Sequence, residues 1–182
     1  CRTLNKRFRS IDQINEITAK IRRMKRKIKN VFAKADYNCF ACSPHNKQGL
    51  QLQFYELDDY VQSEWVPLLQ FEGYPGVIHG GIQATLLDEI GAWTMYIKAR
   101  CSGVTSRMNL KYIKPLDSKQ GKILLRGKLK EIVRNICYID AEILNEKAEV
   151  CAEACLTYFM FSHEKSVEMG FFPERYEDFF ED

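Results

Sequence analysis

A histidine, two glycines and a carboxylate stand at a spacing that could pair an oxyanion site with a proton-transferring acid: His79-Gly80-Gly81, with Asp88 nine positions after the histidine. From Ile82 to about Ala99 apolar residues recur every three or four positions, so the glycines sit where a helix begins. Free backbone N–H groups and the positive end of the helix dipole converge there, and an oxyanion could be held. On the helical wheel Ile82, Leu86, Ile90, Trp93 and Ile97 form one apolar face, while Ala84, Asp88, Gly91, Ala92 and Met95 form the opposite one. Small residues let a second backbone come close, and a carboxylate partly desolvated at such an interface is suited to proton transfer. The plainer readings are a surface salt bridge for Asp88 and a tight turn for the glycine pair. Eight residues of helical rise put Gly80 and Asp88 roughly 12 Å apart. If both act on one carbonyl, the helices of two copies must lie antiparallel, which predicts two equivalent sites per two-fold dimer.

The elements that must position these residues are legible on either side. Residues 1–36 carry twelve Lys or Arg against three acids, with Phe8, Ile11, Ile14, Ile17, Ile21, Met24, Ile28 and Val31 at helical spacing, so a basic amphipathic N-terminal helix is expected. A helix docked by its apolar stripe and solvated elsewhere is the plain reading. Contact with nucleic acid, an anionic membrane or a cofactor phosphate is the alternative. Tyr37 to Gly49 is rich in turn formers and reads as a loop, and Glu72 to His79, with Gly73, Pro75 and Gly76, as a second. Strands are expected from Leu50 through Phe54, from Val61 to Leu69, and then over 104–113, 122–132, 136–144 and 150–161, with Asp58-Asp59, Pro115 to Asp117, Arg134-Asn135 and Asn145-Glu146 as turns. Order β-β-α-β-β-β-β implies an α+β domain over 50–162 in which a curved antiparallel sheet wraps one long helix. The tail 163–182, with seven acids, two bases and five aromatics, is expected to pack as a short helix, against the basic N-terminal segment.

Composition bounds the rest. With 182 residues, 46% of them apolar, the chain can bury a core unaided, and a net charge of +3 gives it no overall polyanion-binding character. Seven cysteines, an odd number in a chain this long, read as free thiols of a reducing cytoplasm. No apolar run is long enough to span a membrane. Cys39-Phe-Ala-Cys42 with His45 invites a zinc reading, but no second such pair completes four ligands, so no metal is expected. Cys101, Cys137, Cys151 and Cys155 read as small core residues.

The string PGVIHGGIQATLLDEIGAW resembles the central helix of the hotdog-fold acyl-CoA thioesterases, especially the phenylacetyl-CoA-type group, and GVTSRMNLKYIKPL resembles their following strand. The likeness covers approximately Asn38 to Ser162. It implies a hotdog fold, Asp88 as general base or nucleophile, and the Gly80 amide polarising a thioester carbonyl. By the same likeness Thr105 is a hydroxyl that positions water, and His79 matches the motif histidine, which could equally cap the helix. Asn46 and Gly49 in HNKQGL resemble a loop near such sites, so Asn46, Gly81 and Glu89 are expected on the substrate side, with Glu89 a secondary or structural acid. Phe71, Trp93 and Tyr96 are candidates to line the acyl pocket. The expected activity is hydrolysis of an acyl-CoA or acyl-carrier thioester by a homodimer or dimer of dimers. It needs no cofactor and has no nucleic-acid partner. A hotdog enoyl-thioester hydratase or dehydratase, and a non-catalytic acyl-CoA-binding or nucleic-acid-binding protein, are the rivals.

Overall fold

The computed structural model describes residues 25–34 and 36–180. Among these residues nine strands and two α-helices follow in order: β1 (Arg26–Ile28), β2 (Phe54–Leu57), β3 (Tyr60–Trp65), β4 (Glu72–Tyr74), β5 (Val77–Ile78), α1 (Gly80–Thr94), β6 (Gly103–Tyr112), β7 (Ile123–Val133), β8 (Ile136–Leu144), β9 (Val150–Met160) and α2 (His163–Glu168). Seven strands form one antiparallel sheet in the order β1-β2-β3-β7-β8-β9-β6, and β4 and β5 form a separate hairpin. This is the hotdog fold, a sheet curled around α1.

Period-two alternation builds the sheet. Along β7, β8 and β9 Ile123, Leu125, Cys137, Ile139, Ala141, Ala152, Ala154 and Leu156 are buried, while the other face carries ion pairs such as Arg126–Glu142 and Lys130–Asp140. Leu86, Leu87, Ile90 and Trp93 of α1 meet the inner face and are 0–1% exposed. The helix passes so close to β7 that a Cβ on Gly127 would fall on Thr94 Oγ1 and within 3.1 Å of the Ile90 carbonyl, so only glycine fits. Beyond Thr94 the helix loosens into a π turn (Met95–Ala99), and Arg100 in the left-handed region ends it.

Four local expectations are corrected. The N-terminal helix does not reach residue 36: Arg26–Ile28 is a strand paired with Phe54–Leu57, because Arg26 finds Glu56 and the Phe180 ring across the sheet edge, partners that local periodicity cannot reveal. The remainder of that expected helix, 1–24, lies outside the described residues. Leu50 and Leu52 are buried but precede the ladder; Gln51 has φ 51°, and the N–H groups of Leu50 and Leu52 bond instead to the carbonyls of Phe40 and Ala41. Pro67 lies just past the end of β3, which stops at Trp65 rather than Leu69. The segment Glu72–His79 contains the β4–β5 hairpin, turned at Pro75-Gly76 with Gly76 at φ 81°.

The acidic tail closes over the C-terminal end of α1. Phe179 and Phe172 are buried with Trp93 and Tyr96, Tyr176 Oη donates to the Ile97 carbonyl at 3.0 Å, and Phe180 bridges to Ile28 of β1. The tail thus meets the basic N-terminal segment as expected, but on a strand.

Candidate active site

His79 starts the site. Its side chain caps α1, with Nδ1 accepting the Gly81 N–H at 2.9 Å, and its backbone is extended (ψ 136°) before the chain turns helical. That places the histidine as a helix cap and commits Gly81 to it. Gly80 is the first helical residue, whose N–H has no acceptor within the helix. Its carbonyl accepts from Tyr112 Oη at 2.8 Å. Around this end of α1 lies a cavity of about 530 Å³, lined among others by Tyr74, His79, Gly80, Gln83, Tyr112 and Pro115. Gln83 is 4% exposed; its amide nitrogen donates to the Ile78 carbonyl, while Oε1 finds no partner among the described residues.

Two turns further along, Asp88 and Thr105 come together: Thr105 Oγ1 donates to Asp88 Oδ1 at 2.9 Å. A bulge in β6 makes this possible. Thr105 pairs with Tyr158 and Arg107 with Thr157, leaving Ser106 as an extra residue whose hydroxyl bonds the Thr157 carbonyl. In unbroken alternation Thr105 would share the outer face with Arg107, Asn109 and Lys111; the extra residue turns it toward the helix. Tyr158, opposite it, is 1% exposed and donates through Oη to the Asp88 carbonyl at 3.0 Å. Burial pushes the Tyr158 phenol well up, so it stays a donor. Tyr158 therefore fixes the helix turn that carries Asp88, and Thr105 fixes its carboxylate.

Other expected residues lie elsewhere. Asn46 is engaged within its own loop, accepting from the Gln48 N–H and donating to the Asn38 carbonyl at 3.4 Å. Among the described residues no hydrogen bond joins it to Asp88 or Thr105. Glu89, one position from Asp88, turns about 100° away into the interior. It accepts from Trp93 Nε1 at 3.0 Å and lies 3.8 Å from Cys39 Sγ; desolvation pushes its carboxyl up to about 7. Cys42, buried beside it, hydrogen bonds to the Cys39 sulfur and, with backbone N–H groups of Cys42 and Ala41, pulls the Cys39 thiol down to about 5. Cys39, Cys42 and Glu89 thus form a second cluster, which the sequence hid because its acid lies 47 residues beyond its nearer cysteine. The expected pocket residues are also displaced. Trp93 stacks on Phe54 at 4.6 Å in the core, Tyr96 packs on Phe32, and Phe71 on Trp65. Tyr112, Tyr158 and Gln83 hold places that sequence reasoning did not find. The only signal for Tyr158 was its inward position on β9, which appears only once the register to Thr105 is known.

The geometry offers a carboxylate with a hydroxyl partner on a partly open helix face, a helix N-terminus at a cavity, and a long edge strand, β6, alongside. Comparison with known proteins agrees with the fold. A family profile described as thioesterase superfamily matches residues 75–152. A protein of Thermoplasma acidophilum named as a candidate esterase is 26% identical over 86 residues, 47% of this chain and 64% of the other, so the match spans under two thirds of that relative. Among solved structures, a thioesterase-named protein of Streptococcus pneumoniae TIGR4 determined with coenzyme A is 23% identical, with TM-score 0.57 over 62% of this chain and 87% of that one. The E. coli PaaI protein, from the phenylacetic acid degradation operon, is 16% identical with TM-score 0.56 over 63% and 82%. Helix, bulged strand and motif residues all fall within residues 75–152, the part of the chain that resembles the thioesterase superfamily, and the chain shares the hotdog fold of these solved structures.

Proposed function

We propose that the protein hydrolyses an acyl-CoA, or an acyl thioester on a carrier, to the free acid and thiol at a site shared by two antiparallel copies of α1. The observation that carries this reading is the Asp88–Thr105 hydrogen bond on the helix face next to β6. The pneumococcal neighbour determined with coenzyme A supports the substrate class. A thioester carbonyl is activated toward water, so a base, an oxyanion donor and room for the acyl group suffice, and no cofactor is required. Asp88 takes a proton from a water that Thr105 orients, the water oxygen bonds to the carbonyl carbon, and the carbonyl oxygen gathers charge against the partner copy's helix N-terminus, at the Gly80 N–H. Collapse expels the thiolate, which is protonated from the Asp88 carboxyl. Direct attack by Asp88, giving a mixed anhydride that water then opens, is the variant of the same site.

Helix length supports a shared site: roughly 12 Å of helix separates Gly80 from Asp88 in one chain. β6 supports the association, because it pairs only with β9 and leaves its other edge, with Val104 and Tyr112 about half exposed, without a strand partner among the described residues. The test is complementation. Gly80→Pro removes the one N–H at a first-turn position where proline is tolerated, and the extended His79 before it already has the conformation a proline demands. Gly80→Pro and Asp88→Asn should each be inactive. Co-expressed in equal amounts they should recover about a quarter of wild-type turnover, since half the dimers are mixed and each has one intact site. No recovery would place both groups in one chain's site and overturn the shared arrangement.

A further inference from the structure

The loop ahead of the sheet carries a cluster that thioester hydrolysis does not use. Cys39 Sγ, Cys42 Sγ and a Glu89 carboxylate oxygen lie within 4.8 Å of one another, with Cys42 buried and the other two partly so. On a tetrahedral zinc, bond lengths near 2.3 Å to sulfur and 2.0 Å to oxygen put ligand atoms about 3.5–3.8 Å apart. Cys39 Sγ and Glu89 Oε2 already stand at 3.8 Å. Tyr37 Oη is 3.2 Å from Cys42 Sγ, close to that spacing as well.

The three ligand atoms are held in place by their surroundings. The Cys-Phe-Ala-Cys turn is pinned on both sides: Ser43 N–H bonds the Cys39 carbonyl, Leu50 N–H the Phe40 carbonyl and Leu52 N–H the Ala41 carbonyl, and a side chain at Gly49 would collide with the Phe40 carbonyl. Asn30 Nδ2 reaches the Cys42 carbonyl at 3.0 Å and its sulfur at 3.5 Å. Trp93 Nε1 orients the carboxylate from the opposite side. Such donors around ligand atoms form the outer shell that fixes a metal site. Three groups that carry negative charge when ionised converge here, and none of the described ion pairs supplies Glu89 with a lysine, arginine or histidine.

We propose that Cys39, Cys42 and Glu89 bind one zinc-class divalent ion, with Tyr37 Oη or a water as fourth ligand, stapling the 37–49 loop to α1. Two thiolates and one carboxylate favour a borderline-soft ion over magnesium or calcium. Binding displaces the protons of the two thiols, of Glu89 where it is protonated and of Tyr37 where its phenolate is the fourth ligand, into solvent; nothing is oxidised or reduced. Because Glu89 adjoins Asp88, the staple would also fix the rotation of α1 about its axis. The site stands independently of the hydrolytic reading, since its readout is metal content and not turnover.

The experiment is a Co2+ titration of the full chain, stripped of metal with a chelator and kept reduced. The expected result is a sulfur-to-cobalt charge-transfer band with tetrahedral d–d bands, saturating at one ion per chain and displaced by Zn2+. Cys42→Ser should lose the band, and Glu89→Gln, which can still accept from Trp93, should bind Co2+ at least about tenfold more weakly. Cys155→Ser, at a cysteine outside the cluster, should leave it unchanged. Should Cys42→Ser fail to fold, wild type and Glu89→Gln still decide. No charge-transfer band at one equivalent would overturn the proposal, as would unchanged affinity in Glu89→Gln. So would a chain whose Cys39 and Cys42 cycle to a disulfide and, when reduced, take up no Co2+.

Discussion

Gly91 and Tyr158 set how closely α1 approaches the sheet beside Asp88, and a double-mutant cycle measures that contact. A Cβ on Gly91 would meet Tyr158 Oη first and the Leu156 methyls at 3.0 and 3.2 Å. Gly91→Ala gains about 1 kcal/mol of helix propensity. Against this stand overpacking, about 1–3 kcal/mol, and the loss of the Tyr158-to-Asp88 hydrogen bond, about 1 kcal/mol. The net loss should be about 2 kcal/mol, lowering Tm by about 4–8 °C in a chain of this length. Tyr158→Phe alone should cost about 1 kcal/mol, because the Asp88 carbonyl keeps its helical partner. In the Tyr158→Phe background the colliding oxygen and its hydrogen bond are already gone, and only the Leu156 methyls must give. Gly91→Ala should then be near neutral, a coupling of about 1–2 kcal/mol. Urea unfolding of the four proteins reads it directly. Strictly additive effects would refute the claim that this hydroxyl holds the helix against the sheet.

Thr105→Val keeps the shape and β-branching of the side chain but leaves Asp88 Oδ1 without its donor, so kcat should fall about tenfold to a hundredfold with KM little changed, in steady-state kinetics. Gly80→Pro puts a Cβ 3.0 Å from Tyr112 Oη, so it should leave the fold assembled with a modest drop in Tm as that half-exposed ring shifts, yet cut kcat by about a hundredfold to a thousandfold, the loss typical of one oxyanion donor. Val104→Lys, on the exposed edge strand, should shift the protein toward monomer in sedimentation and make turnover depend on protein concentration, while its circular dichroism stays that of wild type.

The sheet and helix were readable in the sequence because the strands of 103–160 alternate over most of their length, broken at a few bulges, and α1 carries an apolar stripe, and those patterns report burial directly. Asp88 and Thr105 were found as candidates, but their meeting depends on the Ser106 bulge, which switches the parity of β6 and leaves no mark on composition. Long-range pairing decided what local pattern could not. Arg26–Ile28 is a strand because β2 and Phe180 are beside it, and Trp93 is core because Phe54 stacks on it. Glu89 looked like a neighbour of Asp88, yet one step along a helix turns a side chain by about 100°, enough to send it to the cysteines.

The most direct measurement is CoA release from short, medium, long-chain and aromatic acyl-CoAs by the wild-type protein and by Asp88→Asn, checked to be folded. Turnover of at least one substrate, reduced by about a hundredfold to ten-thousandfold in Asp88→Asn, is the predicted result. Near-normal turnover in Asp88→Asn, or no release from any substrate by the wild type, would contradict the assignment.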